Sequence, residues 1–147
     1  MAEDTIRRLY DALDRHDGDG AAACYADDAV FEDPAFGRLE DGAVKDMWRM
    51  LCERSEDLHV VLIEHGPDSA HWSATYTFGG TGRSVVNDIR SRFVFEGDLI
   101  REQVDSFSLR RWGGQALGRR GTVLGSAGLL GRAVRKQARG QLEQYRS

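Results

Sequence analysis

Near Leu58 the apolar residues of this 147-residue chain change their spacing, and that change limits the fold more than any other feature. Before it, apolar side chains recur every three to four positions. Ile6, Leu9, Tyr10 and Leu13 form one helical face after a capping Asp4, and Val44, Met47, Trp48, Leu51 and Cys52 form another after Asp41. After it, the period is two. Leu58–Glu64 is apolar and β-branched, and Gly66-Pro67-Asp68 is a turn. Ala70, Trp72, Ala74, Tyr76 and Phe78 then alternate with Ser69, His71, Ser73, Thr75 and Thr77. The GGTGR turn leads into a strand over 84–95, and Glu96-Gly97-Asp98 into a last strand over 99–109. Helices followed by consecutive antiparallel strands predict an α+β domain, with helices on one face of a curved sheet.

Between the two helical faces lies Asp17–Gly37, DGDGAAACYADDAVFEDPAFG. It reads as a Gly-rich turn, a short helix over 21–26 with Tyr25 turned inward, an acidic turn, and a strand over 29–33 that places Phe31 and Asp33 on one face. Pro34 blocks further pairing, so Asp33 closes an apolar strand at a cavity mouth or inside the cavity. The alternative role for Asp33 is to tie backbone N–H groups together at the strand end.

Charge divides the chain. Residues 1–109 carry 11 Lys/Arg and 23 Asp/Glu, whereas residues 110–147 carry nine Lys/Arg and one acid, Glu143. The basic tail is expected to lie on the acidic body of its own or a neighbouring chain. Eight glycines between Gly113 and Gly140 interrupt a continuous basic helix face, which argues against nucleic acid or membrane as its target. Leu130, Val134, Ala138 and Leu142 make a thin stripe on a terminal helix, suited to docking on another surface such as a dimer partner. The expected division is therefore a domain over 1–109 and a basic, Gly-rich extension over 110–147. Cys24 and Cys52 lack zinc or disulfide spacing, and His16, His59, His65 and His71 have no ligand set at metal spacing. GGTGR lacks the strand-to-helix setting of a phosphate loop. No run has the length of a membrane span and the first residues do not form a signal peptide, so a cytoplasmic protein is expected.

In the strand over 84–95, Asp88, Arg90 and Arg92 take the wet face, leaving Asn87 and Ser91 among apolar side chains on the covered one. The pattern of the last strand leaves its facing open: Leu99, Phe107 and Leu109 compete with Ile100 and Val104.

ALDRHDGDGAAACYADDAVFEDP, Ala12 to Pro34, resembles the same stretch of bacterial ketosteroid isomerases, and EGDLIREQVDSFSL, Glu96 to Leu109, resembles the last strand of SnoaL-like polyketide cyclases and limonene epoxide hydrolases. All belong to the nuclear transport factor 2-like superfamily, and the resemblance spans residues 4–109. It implies a cone-shaped curved sheet wrapped over helices, an apolar pocket and a homodimer. The tail, with RRWGGQALG, resembles an uncharacterised bacterial branch. On this resemblance Asp33 falls at the isomerases' proton-shuttling base, while Leu9, next to Tyr10, and Ser91 fall where they keep an oxyanion tyrosine and aspartate. Asp105 falls at an aspartate shared by the cyclases and the epoxide hydrolases, and Gln103 at the cyclase histidine. The epoxide hydrolases' Arg-x-Asp piece has no counterpart in HWSATYTF. The resemblance also implies that Gln103, Asp105 and Phe107 face the cavity.

The candidate site is thus Asp105 and Asp33 as an acid–base pair, with Gln103, Asn87 and Ser91 as neutral hydrogen-bonding groups. Trp72, Tyr76, Phe93 and Phe107 form the wall, with Tyr10 and Trp48 beside it. An apolar pocket raises a carboxyl's pKa toward neutrality, and two adjacent carboxyls push their pKa values apart. A salt bridge to an arginine is the structural alternative for Asp105. The expected activity is cofactor-free acid–base chemistry on a small, mostly apolar molecule, of isomerase, cyclase or epoxide-hydrolase type. A non-catalytic module of the same fold, holding a hydrophobic ligand or a protein partner, is the other reading.

Overall fold

The computed structural model describes residues 1–119 and 127–147. Helices α1 (Ala2–Asp14), α2 (Gly18–Ala22) and α3 (Gly42–Arg54) are interleaved with strands β1 (Tyr25–Asp33) and β2 (Gly37–Glu40). Strands β3 (His59–His65), β4 (Ser69–Phe78), β5 (Arg83–Glu96) and β6 (Leu99–Ser106) follow, then helices α4 (Leu109–Leu117) and α5 (Ala127–Arg146). The six strands form one curved, unclosed sheet in the order β2-β1-β6-β5-β4-β3. Its inner face packs on α1 and α3. Ile6, Leu9, Leu13, Val44 and Met47 are fully buried there, in one cluster with Phe31, Trp72 and Ile100.

Several expectations need correction. The cap of α1 is Met1, so Asp4 sits in the first turn, where its charge still favours the helix N-terminus. Asp41 precedes α3 without a side-chain cap bond. Asp17 caps α2 by accepting a bond from Gly20 N (2.9 Å), which starts that helix early and ends it at Ala22. Tyr25 is therefore a strand residue. The sheet captures it because Ile100 N donates to Cys24 O (2.9 Å) and Tyr25 pairs with Ile100. β2 was not expected, since only Leu39 of its four residues turns inward. Gly37, at φ +70°, makes the hairpin into it. The strands are not all antiparallel either: β1 lies parallel to β6, between β6 and β2. Leu109 leaves the last strand because Ser108 caps α4, its Oγ accepting from Arg111 N (3.1 Å).

The stripe on α5 docks on its own chain. Leu142 joins the main core, and Leu130 and Val134 join Val85, Trp112 and Ala116 in a second buried cluster. α4 and α5 approach closely at Gly113, where a Cβ would stand 2.7 Å from Leu130 Cδ2. The basic residues follow the same path. Arg139 donates to Phe36 O (2.8 Å) and Arg38 O (2.9 Å), Arg135 to Pro34 O (3.4 Å), and Arg146 pairs with Asp46 (3.0 Å). The extension thus clamps the turn that follows Asp33. His16 bonds through Nε2 to Leu58 O (2.7 Å). No helix among the described residues is long and apolar enough to cross a membrane.

Candidate active site

The inner face of the sheet is set by strand parity, and pairing then brings distant residues into rows. β5 and β6 pair Ser91 with Asp105 and Phe93 with Gln103. β1 and β6 pair Phe31 with Gln103. Carried two residues further, that register sets Asp33 beside Asp105. Gln103, Ser91 and Asp105 are buried, whereas Val104 between them is exposed.

Around Asp105 the hydrogen bonds converge. Its Oδ1 accepts from Ser91 Oγ (2.5 Å) and from Gln103 Nε2 (2.9 Å). Ser91 Oγ in turn accepts from the Tyr10 hydroxyl (2.9 Å) and the Trp72 indole N–H (2.8 Å). The Tyr25 hydroxyl donates to Gln103 Oε1. These donors lead, directly or through Ser91 and Gln103, to one carboxyl oxygen. Oδ2 of Asp105 receives no hydrogen bond among the described residues and is the atom left for chemistry. The partners of Asp105 are neutral, and among the described residues it forms no salt bridge. Leu9 is packed in the core, and the neighbouring Tyr10 reaches Ser91.

Burial pushes the Asp105 pKa up to about 7 against the two bonds it accepts, and the charge of Asp33 raises it further. Asp33 itself is half-buried, and burial lifts it to about 6 despite bonds from the Phe36 (2.6 Å) and Ala35 backbone N–H groups. The strand-end tie is therefore present, and it leaves a carboxyl whose charge acts on its neighbour. Tyr10 is held well above its ordinary pKa, first by burial and then by the Asp105 charge, so it stays a neutral donor.

The other candidates fall at four places. Trp72 lies against Tyr10, ring centroids 4.8 Å apart. Phe93, opposite Gln103, stacks on Phe95 at 5.8 Å. Trp48 sits on α3, edge-on to Phe31 (5.6 Å), and its indole N–H is buried with no hydrogen-bond partner among the described residues. Asn87, Tyr76 and Phe107 lie on the other side of Asp105, with Tyr76 and Phe107 against the second cluster. Two surface depressions, one lined by Arg92, Val94, Glu102 and Val104 and one by Arg7, Tyr10, Asp11 and Asp14, include neither Asp33 nor Asp105.

Sequence reasoning missed two residues as parts of the site. Tyr25 was read only as an inward packing residue, and its strand setting, which places it near Gln103, was hidden by the helical reading of 21–26. Trp112 donates from its indole to the Tyr76 hydroxyl (2.7 Å), a contact that no local pattern announces. Among the described residues no three His, Cys, Asp or Glu side chains gather as a metal site.

No curated protein matches the chain. Its structure is similar to a Catenulispora acidiphila protein of ketosteroid isomerase-like fold, determined with trimethylamine (16% identity, 79% of this chain and 94% of that one, TM-score 0.64). It is similar to an LEH-like epoxide hydrolase of M. tuberculosis (20%, 84% and 92%, 0.65). It is also similar to a protein of Silicibacter sp. proposed as a polyketide cyclase (20%, 78% and 94%, 0.61). These likenesses show the fold. The SnoaL-like domain family matches residues 6–103, most of the helices and sheet described above, and the chain belongs to that family.

Proposed function

We propose that this protein is a cofactor-free acid–base enzyme acting on a small, mostly apolar molecule, with Asp105 taking and returning a proton and Asp33 setting its charge state. One observation carries the reading: a buried carboxyl, held at one oxygen by Ser91 and Gln103, whose pKa stands at about 7. A base poised near neutrality both accepts and releases a proton readily. Gln103 has no titrating group, so it orients Asp105 rather than sharing the proton. The neutral hydrogen-bond partners of Asp105 favour proton transfer next to a carbonyl, as in isomerisation or cyclisation, over epoxide opening. Asp33, adjacent and at about 6, ionises first and holds Asp105 protonated to higher pH.

Deuterium incorporation next to the carbonyl of decalone, a bicyclic ketone, tests this in deuterium oxide. The rate is expected to rise with pH through about 7, as Asp105 ionises. Asp105→Asn should lower it by about a hundredfold or more. An unchanged rate in that variant would remove Asp105 from the reaction. The same reading expects two copies to pair through the outer sheet face, which leaves Val61, Val86, Val94 and Val104 exposed. Light scattering at the mass of one chain would exclude that pairing.

A further inference from the structure

The inner face of β5 carries one polar side chain that the Asp105 cluster does not use. Asn87 is only 7% exposed, and its amide makes no hydrogen bond among the described residues. The amide is not sealed in protein, since among the described residues only the Trp48 indole N–H is both fully buried and unpaired. It is therefore open to a partner supplied from outside. Directly across the strand pair is Ala74, whose side chain is a single methyl.

Beside Ala74 on the same face stands Tyr76, diagonal to Asn87 across the β4–β5 pair. Its hydroxyl accepts the Trp112 indole N–H at 2.7 Å, and its own proton finds no acceptor among the described residues. The Trp112 ring is itself held edge-on by Phe78, with centroids 5.4 Å apart. The indole thus fixes the phenol and leaves its O–H free to donate. Two neutral groups, an amide and a phenol, are presented on the inner face beside the apolar Val85, Ile89 and Phe107.

We propose that Asn87 and Tyr76, with Trp112 orienting the phenol, form a hydrogen-bonding site for the carbonyl oxygen of an otherwise apolar ligand. Both groups donate, and a carbonyl oxygen has two lone pairs to receive them. A cation would leave the Tyr76 O–H and Asn87 N–H donors unused, whatever it gained from the nearby Asp33 carboxylate. An anion would meet the neighbouring Asp33 carboxylate, whose charge already acts on Tyr76. Trp112 lies on α4, beyond the family-matched residues 6–103. The proposal rests on the inner face being the ligand site and names the ligand's polar group.

The test uses the full, nitrogen-15-labelled chain with decalone and its matched hydrocarbon, decalin. Decalone, and not decalin, should move the Asn87 side-chain amide and Trp112 indole resonances. Asn87→Leu, close in volume, should weaken decalone about tenfold, as loss of a hydrogen bond implies, and leave decalin unchanged. Tyr76→Phe provides a second variant with the same expected selectivity loss. The proposal is overturned if decalone shows no preference over decalin, or if that preference survives both substitutions. Deuterium exchange in Asp105→Asn is a separate readout. Exchange that needs Asp105 while the Asn87 resonances stay still sinks this inference alone. Decalone seated on Asn87 with exchange indifferent to Asp105 sinks the acid–base reading alone.

Discussion

Asp105→Asn has a consequence for stability that can be worked out from its surroundings. The folded chain holds this carboxyl at about 7 instead of its ordinary 3.8. At about 1.4 kcal/mol per pH unit, that disfavours the charged form by about 4 kcal/mol. In the unfolded chain Asp105 releases its proton near its ordinary value, whereas the folded chain keeps it until about 7. Between those limits the folded state binds more protons, so stability falls as pH rises and levels off above about 7. Asparagine mimics the protonated acid: its oxygen still accepts from Ser91 and Gln103, and its amide replaces Oδ2. The variant should match the wild type near pH 4 and exceed it by up to about 4 kcal/mol near pH 8. Urea unfolding of both proteins across that range measures the difference, with the contributions of all other carboxyls common to both except for the influence of Asp105 on Asp33. Parallel stability curves would refute the claim that Asp105 is buried and neutral in the fold.

Three further outcomes can be checked by the same unfolding measurements. Ser91→Ala strands the Tyr10 and Trp72 donors and should cost about 3 kcal/mol, more than Tyr10→Phe at about 1 kcal/mol; equal losses would dissolve the shared-acceptor picture. Gly114→Ala meets nothing within 4 Å and should stabilise α4 by up to about 1 kcal/mol, whereas Gly113→Ala runs into the buried Leu130 at 2.7 Å and should lose that gain. Equal effects of the two substitutions would mean that α5 does not pack there. Asp14 accepts a bond from Val60 N (2.8 Å), which with His59 holds its carboxyl below the ordinary range. Its contribution is present above the unfolded pKa and lost as pH falls through the folded one, so Asp14→Asn should matter at pH 6 and fade in strong acid.

The sequence alone determined what is local. The alternation of Ala70 to Phe78 fixed which side of β4 faces inward, and the spacing of Ile6 to Leu13 fixed the buried face of α1. Asn87 and Ser91 could be placed on the covered face because charged Asp88, Arg90 and Arg92 need water. Facing in the last strand was not readable from pattern, because apolar residues occupy both of its faces; the resemblance supplied it. Tertiary structure alone decided the rest, for one physical reason: strand partners are chosen by contacts far apart in the chain. β1 runs beside β6, so Asp33 and Tyr25 join residues some 70 positions later. Pairing of β5 with β6 makes a carboxyl and a hydroxyl neighbours, and α1 then adds Tyr10. The thin stripe on α5 could have docked on any apolar surface; the gap left at Gly113 and the open carbonyls after Pro34 gave it one on its own chain. Parity places a side chain on a face, but only pairing and packing give it a partner, and the partners set the pKa of Asp105.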